Sequence, residues 1–190
     1  TKQLGNPHMW ATITFLIVNL VGGSAVLGGY LICLYMFPDQ RETLWGAVQG
    51  GWRSVFAVSM LIAAAGYLAF LYVILFKSSP VEFSSRFLDT KHAISIICMI
   101  FLISAATWMP ATITYLKTSN SIWWIISVTS LWVTAISLFA TTVVVISSPL
   151  AIPATFYRIL AISGISYITF HCFVLDAIIW VSRFHIPLRN

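Results

Sequence analysis

Residues 54–76 read SVFAVSMLIAAAGYLAFLYVILF, an uncharged run held between Arg53 and Lys77. A helix rises 1.5 Å per residue, so about 20 apolar residues cross the roughly 30 Å of hydrocarbon in a bilayer. Four further runs meet the same criterion. The first covers about residues 10–37, with no charge between Lys2 and Asp39. The others are 93–116, ending before Lys117; 122–147, stopped by Pro149 and Pro153; and 159–182, between Arg158 and Arg183. Open strands would leave backbone polar groups unpaired in lipid, and nothing alternates as a barrel would. The predicted fold class is therefore all-α: a polytopic membrane protein of five transmembrane helices. Its short connections suit an up-down bundle, and residues 1–190 read as a single transmembrane domain.

Composition points the same way. The chain is 59% hydrophobic and 8% charged, where a soluble domain is about 25% charged. That excludes a soluble enzyme, a disordered regulator and a nucleic-acid binder. Ten Lys and Arg against five Asp and Glu leave a net charge of +5, but the cations stand singly at the edges of apolar runs, where they anchor to headgroups. Lys2, Lys77, Arg86, Lys91 and Arg158 fall on one side; Arg41, Arg53, Lys117, Arg183 and Arg189 fall on the other. The even division assigns no orientation. The first run is too long for the apolar core of a signal peptide. Cys33, Cys98 and Cys172 lie inside apolar runs without C-x-x-C spacing, so they read as small buried hydrophobes, with no metal site implied.

Within the runs, Asp176 is the most informative residue. A carboxylate in hydrocarbon costs on the order of 2.5–3.5 kcal/mol even on insertion scales, so it should face other helices, be protonated or reach the interface. At about 100° per residue, Thr169, Cys172, Asp176 and Arg183 share one stripe. His171, a candidate ligand for haem or pigment or a donor to a quinone carbonyl, stands five positions before Asp176. That spacing puts the two about 140° apart on an α-helix and predicts that they do not share a face. The other histidines, His8, His92 and His185, stand at the edges of runs, which disfavours a second axial ligand at matching depth.

Small and hydroxylated residues mark the expected packing faces. Ser127, Ser130, Thr134, Ser137 and Thr141 form a heptad-spaced seam, the kind of surface on which lipid-embedded helices approach closely and share hydrogen bonds. Gly22, Ala25 and Gly29 share a face of the first run. Ala63, Ala64, Ala65 and Gly66 offer a complement on the second. Asn19, one turn before Gly22, needs an interior partner. Pro110 predicts a kink in the third run, with Trp108 lining a cavity beside it.

The leading expectation is a non-catalytic integral membrane subunit that packs into a larger assembly, bioenergetic or photosynthetic, with bound lipid and other membrane subunits as partners. The alternatives are a small solute or proton-coupled transporter or channel using Asp176, with Asn19 and the hydroxyl seam lining its path, and a redox or lipid-modifying enzyme using His171.

Overall fold

The computed structural model describes residues 7–83, 92–148, 152 and 154–184. Four long helices come first: α1 (Pro7–Met36), α2 (Gly51–Phe76), α3 (Ala93–Thr118) and α4 (Ser121–Ser147). The last begins as α5 (Thr155–Phe170), continues as a wider π-helical segment, His171–Trp180, and ends in the single turn α6 (Val181–Arg183). Together they supply five stretches long and apolar enough to cross a membrane, the last running Thr155–Arg183. Their alternating directions make an up-down bundle.

The chain is apolar outside and hydroxylated inside, the reverse of a water-soluble bundle. Leu31 is 71% exposed, Leu61 70% and Ile103 61%, while Ser127, Thr112 and Thr141 are buried. A monomer in water rarely shows apolar patches larger than a few hundred Å²; here they cover all five stretches.

The tightest reversal joins α3 to α4. Ser119 takes a left-handed conformation (φ 55°) and Asn120 caps the next helix, its Oδ1 accepting from the Ile122 amide at 3.0 Å. Two helices joined this closely must run antiparallel side by side. Their hydroxyls then meet in register: Thr112 and Ser127 at 2.6 Å, Ser104 and Thr134 at 2.8 Å. Ser130 and Thr141 bond back to the carbonyls of Ser127 and Ser137, and Ser137 is buried with them. Thr142, one step off the seam, meets Thr169 of α5 at 2.9 Å. Such bonds average about 0.6 kcal/mol in lipid. Ser104→Ala and Thr134→Val should each cost about that much in a denaturant titration in detergent, with the double variant little worse than either alone, because both remove one bond.

The small residues pair differently from expectation. Gly22 does sit at a close contact: a Cβ there would lie 2.7 Å from Leu102 of α3. Ala25, however, is exposed, and a Cβ on Gly29 would meet nothing within 4 Å. Gly66 lies against Gly164 of α5 rather than against α1. α2 therefore pairs with α5, and α1 rides on α3 with most of its surface uncovered. Asn19 ties α1 to α2, accepting from the Tyr67 hydroxyl at 2.6 Å and donating to the Phe15 carbonyl at 2.8 Å.

Residues 37–50 fold back over one end of the bundle. The Trp180 indole N–H donates to the Leu44 carbonyl at 2.9 Å, and the Ala47 amide donates to the Arg183 carbonyl at 3.1 Å. Gly46 turns with φ 55° directly against Phe184, where a side chain would crowd the backbone at 3.2 Å. Arg53 closes the loop from beneath through Glu42 at 2.6 Å. Trp180→Phe keeps the ring and removes the donor. It should cost about 1 kcal/mol and raise amide exchange at residues 44–48 in a hydrogen-exchange measurement.

Candidate functional site

The polar site of the bundle arises where α5 changes its hydrogen-bond period. At the start of the change, the His171 amide still reaches the Tyr167 carbonyl, four residues back. At its end, the Val181 amide donates to the Asp176 carbonyl, five residues back. In a π-helix, bonded by i→i+5, residues five apart stack one above the other. His171 and Asp176 are five apart. Their side chains meet, with Nε2 3.6 Å from Oδ2. The expectation that the two do not share a face is overturned, because it assumed an α-helical period throughout the last run. Widened turns of this kind occur frequently at functional sites.

Two anchors bracket the wide segment. Upstream, Gly164 crosses Gly66 so closely that a Cβ on Gly164 would fall 2.3 Å from the Gly66 carbonyl oxygen. Downstream, Trp180 and Arg183 are tied to the 37–50 loop. The widened segment lies between these two ties.

The glycine crossing also sets what His171 faces. α2 and α5 run antiparallel, Ser59 precedes Gly66 by seven positions and His171 follows Gly164 by seven. Two turns from the crossing, these two side chains therefore meet: His171 Nδ1 lies 2.9 Å from Ser59 Oγ. Ser59 Oγ in turn lies 3.2 Å from the Tyr167 hydroxyl. The result is a connected chain, Tyr167–Ser59–His171–Asp176, crossing between two helices. With Nε2–H directed at the carboxylate, Nδ1 accepts from the Ser59 hydroxyl. His171 is closed off at 6% side-chain exposure, while Asp176 is open at 30%. The imidazole is thus the enclosed middle of the chain, and the carboxylate and the phenol at its two ends are both partly exposed.

A thiol shares the segment of the carboxylate, and an aromatic row joins α1, α3 and the end of the last run. Cys172 stands four positions before Asp176 on the same segment. Trp108 of α3 donates its indole N–H to the Tyr30 hydroxyl, which itself donates to the Ala105 carbonyl at 3.3 Å. The Trp108 ring stands edge-on to Tyr30 at 5.8 Å and to Trp180 at 5.5 Å between centroids.

The other expected site residues are placed as follows. The Arg183 guanidinium lies over the Trp52 ring at 5.1 Å. Asn19 stands eleven positions before Tyr30 on α1, about 16 Å away by helical rise, and is held by Tyr67 and Phe15. It is not brought to the carboxylate. α3 runs unbroken through Pro110. A groove of about 220 Å³ opens beside that proline, walled by Cys33, Ile113 and Lys117, and Trp108 is not part of it. Two hydroxyls of the α4 seam, Ser127 and Thr134, meet α3. Ser59 and Tyr30 join the site unannounced by the sequence, whereas Cys172 shares the stripe of Asp176 and Tyr167 stands one α-helical turn before His171.

Chemically, the arrangement can hold a proton at the Asp176 carboxylate or on the imidazole beside it. Haem or pigment ligation fits it poorly, since both ring nitrogens of His171 already face protein groups. No group of His, Cys, Asp or Glu suited to a metal ion occurs among the described residues. The chain matches no protein family, no curated protein and no solved structure.

Proposed function

We propose that this chain is an integral membrane protein that acts as a small proton-conducting channel or transporter, with Asp176 as the proton-binding carboxylate and His171 as its proton partner. The observation that carries this reading is the contact between the two side chains inside the last crossing stretch, 3.6 Å apart. Ionisable groups within membrane spans mark ion and substrate paths, and chains of Asp, Glu and His relay protons there. The test is proton flux into vesicles loaded with a pH-sensitive dye under an imposed gradient. Native protein should conduct above the level of empty vesicles and Asp176→Asn should not. Equal flux in the two, or none in the native chain, rejects the reading.

A second reading, a subunit of a larger membrane assembly, is supported by α1. Its Leu20, Leu27 and Leu31 are at least 66% exposed, and Cβ atoms on Gly23, Gly28 and Gly29 would enter open space. Against it, the hydroxyl faces that suggested external partners are used within the chain. Copurification of stoichiometric partners in mild detergent would favour this second role.

A further inference from the structure

The groove beside Pro110 lies at the end of the bundle that carries the 37–50 loop. Cys33 and Phe37 wall it on one side, and on the other a face of α3 that runs from Pro110 through Ile113 and Thr114 to Lys117. Those α3 positions follow the i, i+3, i+4, i+7 spacing of a single helical face. From Pro110 to Lys117 the helix rises about 10 Å. Small side chains at Cys33, Pro110 and Thr114 leave about 220 Å³ between the walls. The Thr114 hydroxyl donates to the Pro110 carbonyl at 2.8 Å, so the wall below Lys117 asks for no polar partner. Lys117 itself is exposed at the rim, its Nζ 4.6 Å from the centroid of the Phe37 ring. The ring face holds the ammonium across the mouth of the groove and leaves it N–H donors for another group. Among the described residues no carboxylate pairs with Lys117; Glu42 is held by Arg53 at 2.6 Å. The described charges of this end are Arg41, Arg53, Lys117 and Arg183 against Asp39 and Glu42, an excess of cations.

We propose that this groove is a binding site for an anionic phospholipid, with the upper part of one acyl chain between Cys33 and Pro110 and the headgroup phosphate on the Lys117 ammonium. The apolar floor and the cationic rim answer the two halves of one molecule. A free phosphate would use the rim and leave the floor bare. A zwitterionic lipid would bring its own ammonium to an end that already carries surplus cations, whereas an anionic headgroup compensates them. Lysines at the bilayer surface attract anionic lipids for this reason, and the groove adds a fixed seat for the chain below the charge. The proposal rests on the membrane setting of the protein and is independent of proton conduction at Asp176.

The experiment reconstitutes the full chain in phosphatidylcholine vesicles containing a minor share of phosphatidylglycerol. Protein recovered with the vesicles is extracted in mild detergent, and the lipids it retains are identified by native mass spectrometry. The native chain should retain phosphatidylglycerol in preference to phosphatidylcholine. Lys117→Gln should lower that preference about fivefold, the contribution of one lysine near an anionic surface, and Lys117→Arg should restore it. Thr114→Phe fills the groove and should displace the retained lipid. Lys77→Gln is the control: it removes an exposed cation held over Tyr157 at the opposite end of the bundle and should change nothing. Equal retention of the two lipids by the native chain, or an undiminished preference in Lys117→Gln, overturns the proposal. An equal loss in Lys77→Gln also overturns it, because Lys117 would then be one surface charge among others. Phosphatidylglycerol retained in full by Thr114→Phe overturns the groove as its seat. Protein absent from the vesicle fraction rejects the membrane setting, and the site with it.

Discussion

Asp176→Asn is expected to reduce proton flux to the level of empty vesicles while leaving helical content and detergent stability close to native. Asparagine has the shape of the carboxylate, so the packing of the last helix is preserved. It also removes the several-kcal/mol penalty of holding an ionised carboxylate in lipid, so any structural effect should be mildly stabilising. What it loses is the ability to titrate. Removing His171 is a smaller but still large change. His171→Gln retains a hydrogen bond to Ser59 yet cannot accept and return a proton, and positioned proton-transfer groups contribute on the order of 10²–10⁴ in rate. Ser59→Ala removes the bridge between Tyr167 and His171 and should lower flux least. Asp176→Glu supplies the discriminating rescue: partial flux is expected from a carboxylate displaced by one methylene. A merely structural role for Asp176 predicts the opposite order, with asparagine tolerated and glutamate damaging.

The parts of this molecule that were legible in its sequence are those that lipid makes obligatory. Each crossing stretch must satisfy its own backbone, so its length and freedom from charge announce it. Hydroxyls in lipid must turn inward, so the heptad spacing of Ser127, Ser130, Thr134, Ser137 and Thr141 identified one buried face of α4. Glycine was informative about closeness but silent about partner. Gly66 signals that some backbone comes near, yet nothing in its neighbourhood says that the backbone is that of Gly164, 98 positions later. The His171–Asp176 contact was misread for a different reason. Helical-wheel arithmetic presupposes 3.6 residues per turn, and a switch to i→i+5 bonding rotates every later side chain relative to that frame. The switch lies between tertiary anchors on both sides of the segment, and neither anchor names its partner in the sequence. Ser59, an isolated serine in an apolar run, became part of the site only because the glycine crossing fixed the register of α2 against α5.

That crossing should be the most sensitive structural point in the bundle. A methyl on Gly164 would lie 2.3 Å from the Gly66 carbonyl oxygen, and one on Gly66 would lie 2.8 Å from the Gly164 carbonyl oxygen. The obstructing atoms are backbone in both cases, so no rotamer change relieves the overlap and the helices must separate. Overpacking a well-filled core costs typically 1–3 kcal/mol. With backbone on both sides, Gly164→Ala is expected at the top of that range, about 3 kcal/mol, read as a shift in the denaturant midpoint in detergent. Gly66→Ala should cost somewhat less, and the double variant should fall well short of the sum, because the first methyl already forces the helices apart. Gly28→Ala is the control: a Cβ there meets nothing, and the better helix former should leave stability unchanged or slightly raised. The same displacement carries a functional consequence. Ser59 and His171 sit seven positions from the crossing on opposite helices, and their 2.9 Å contact has little slack. Gly164→Ala protein that remains folded should therefore show lowered proton flux with Asp176 intact. Native flux together with a stability loss of that size would mean that the Ser59 end of the chain takes no part in proton transfer.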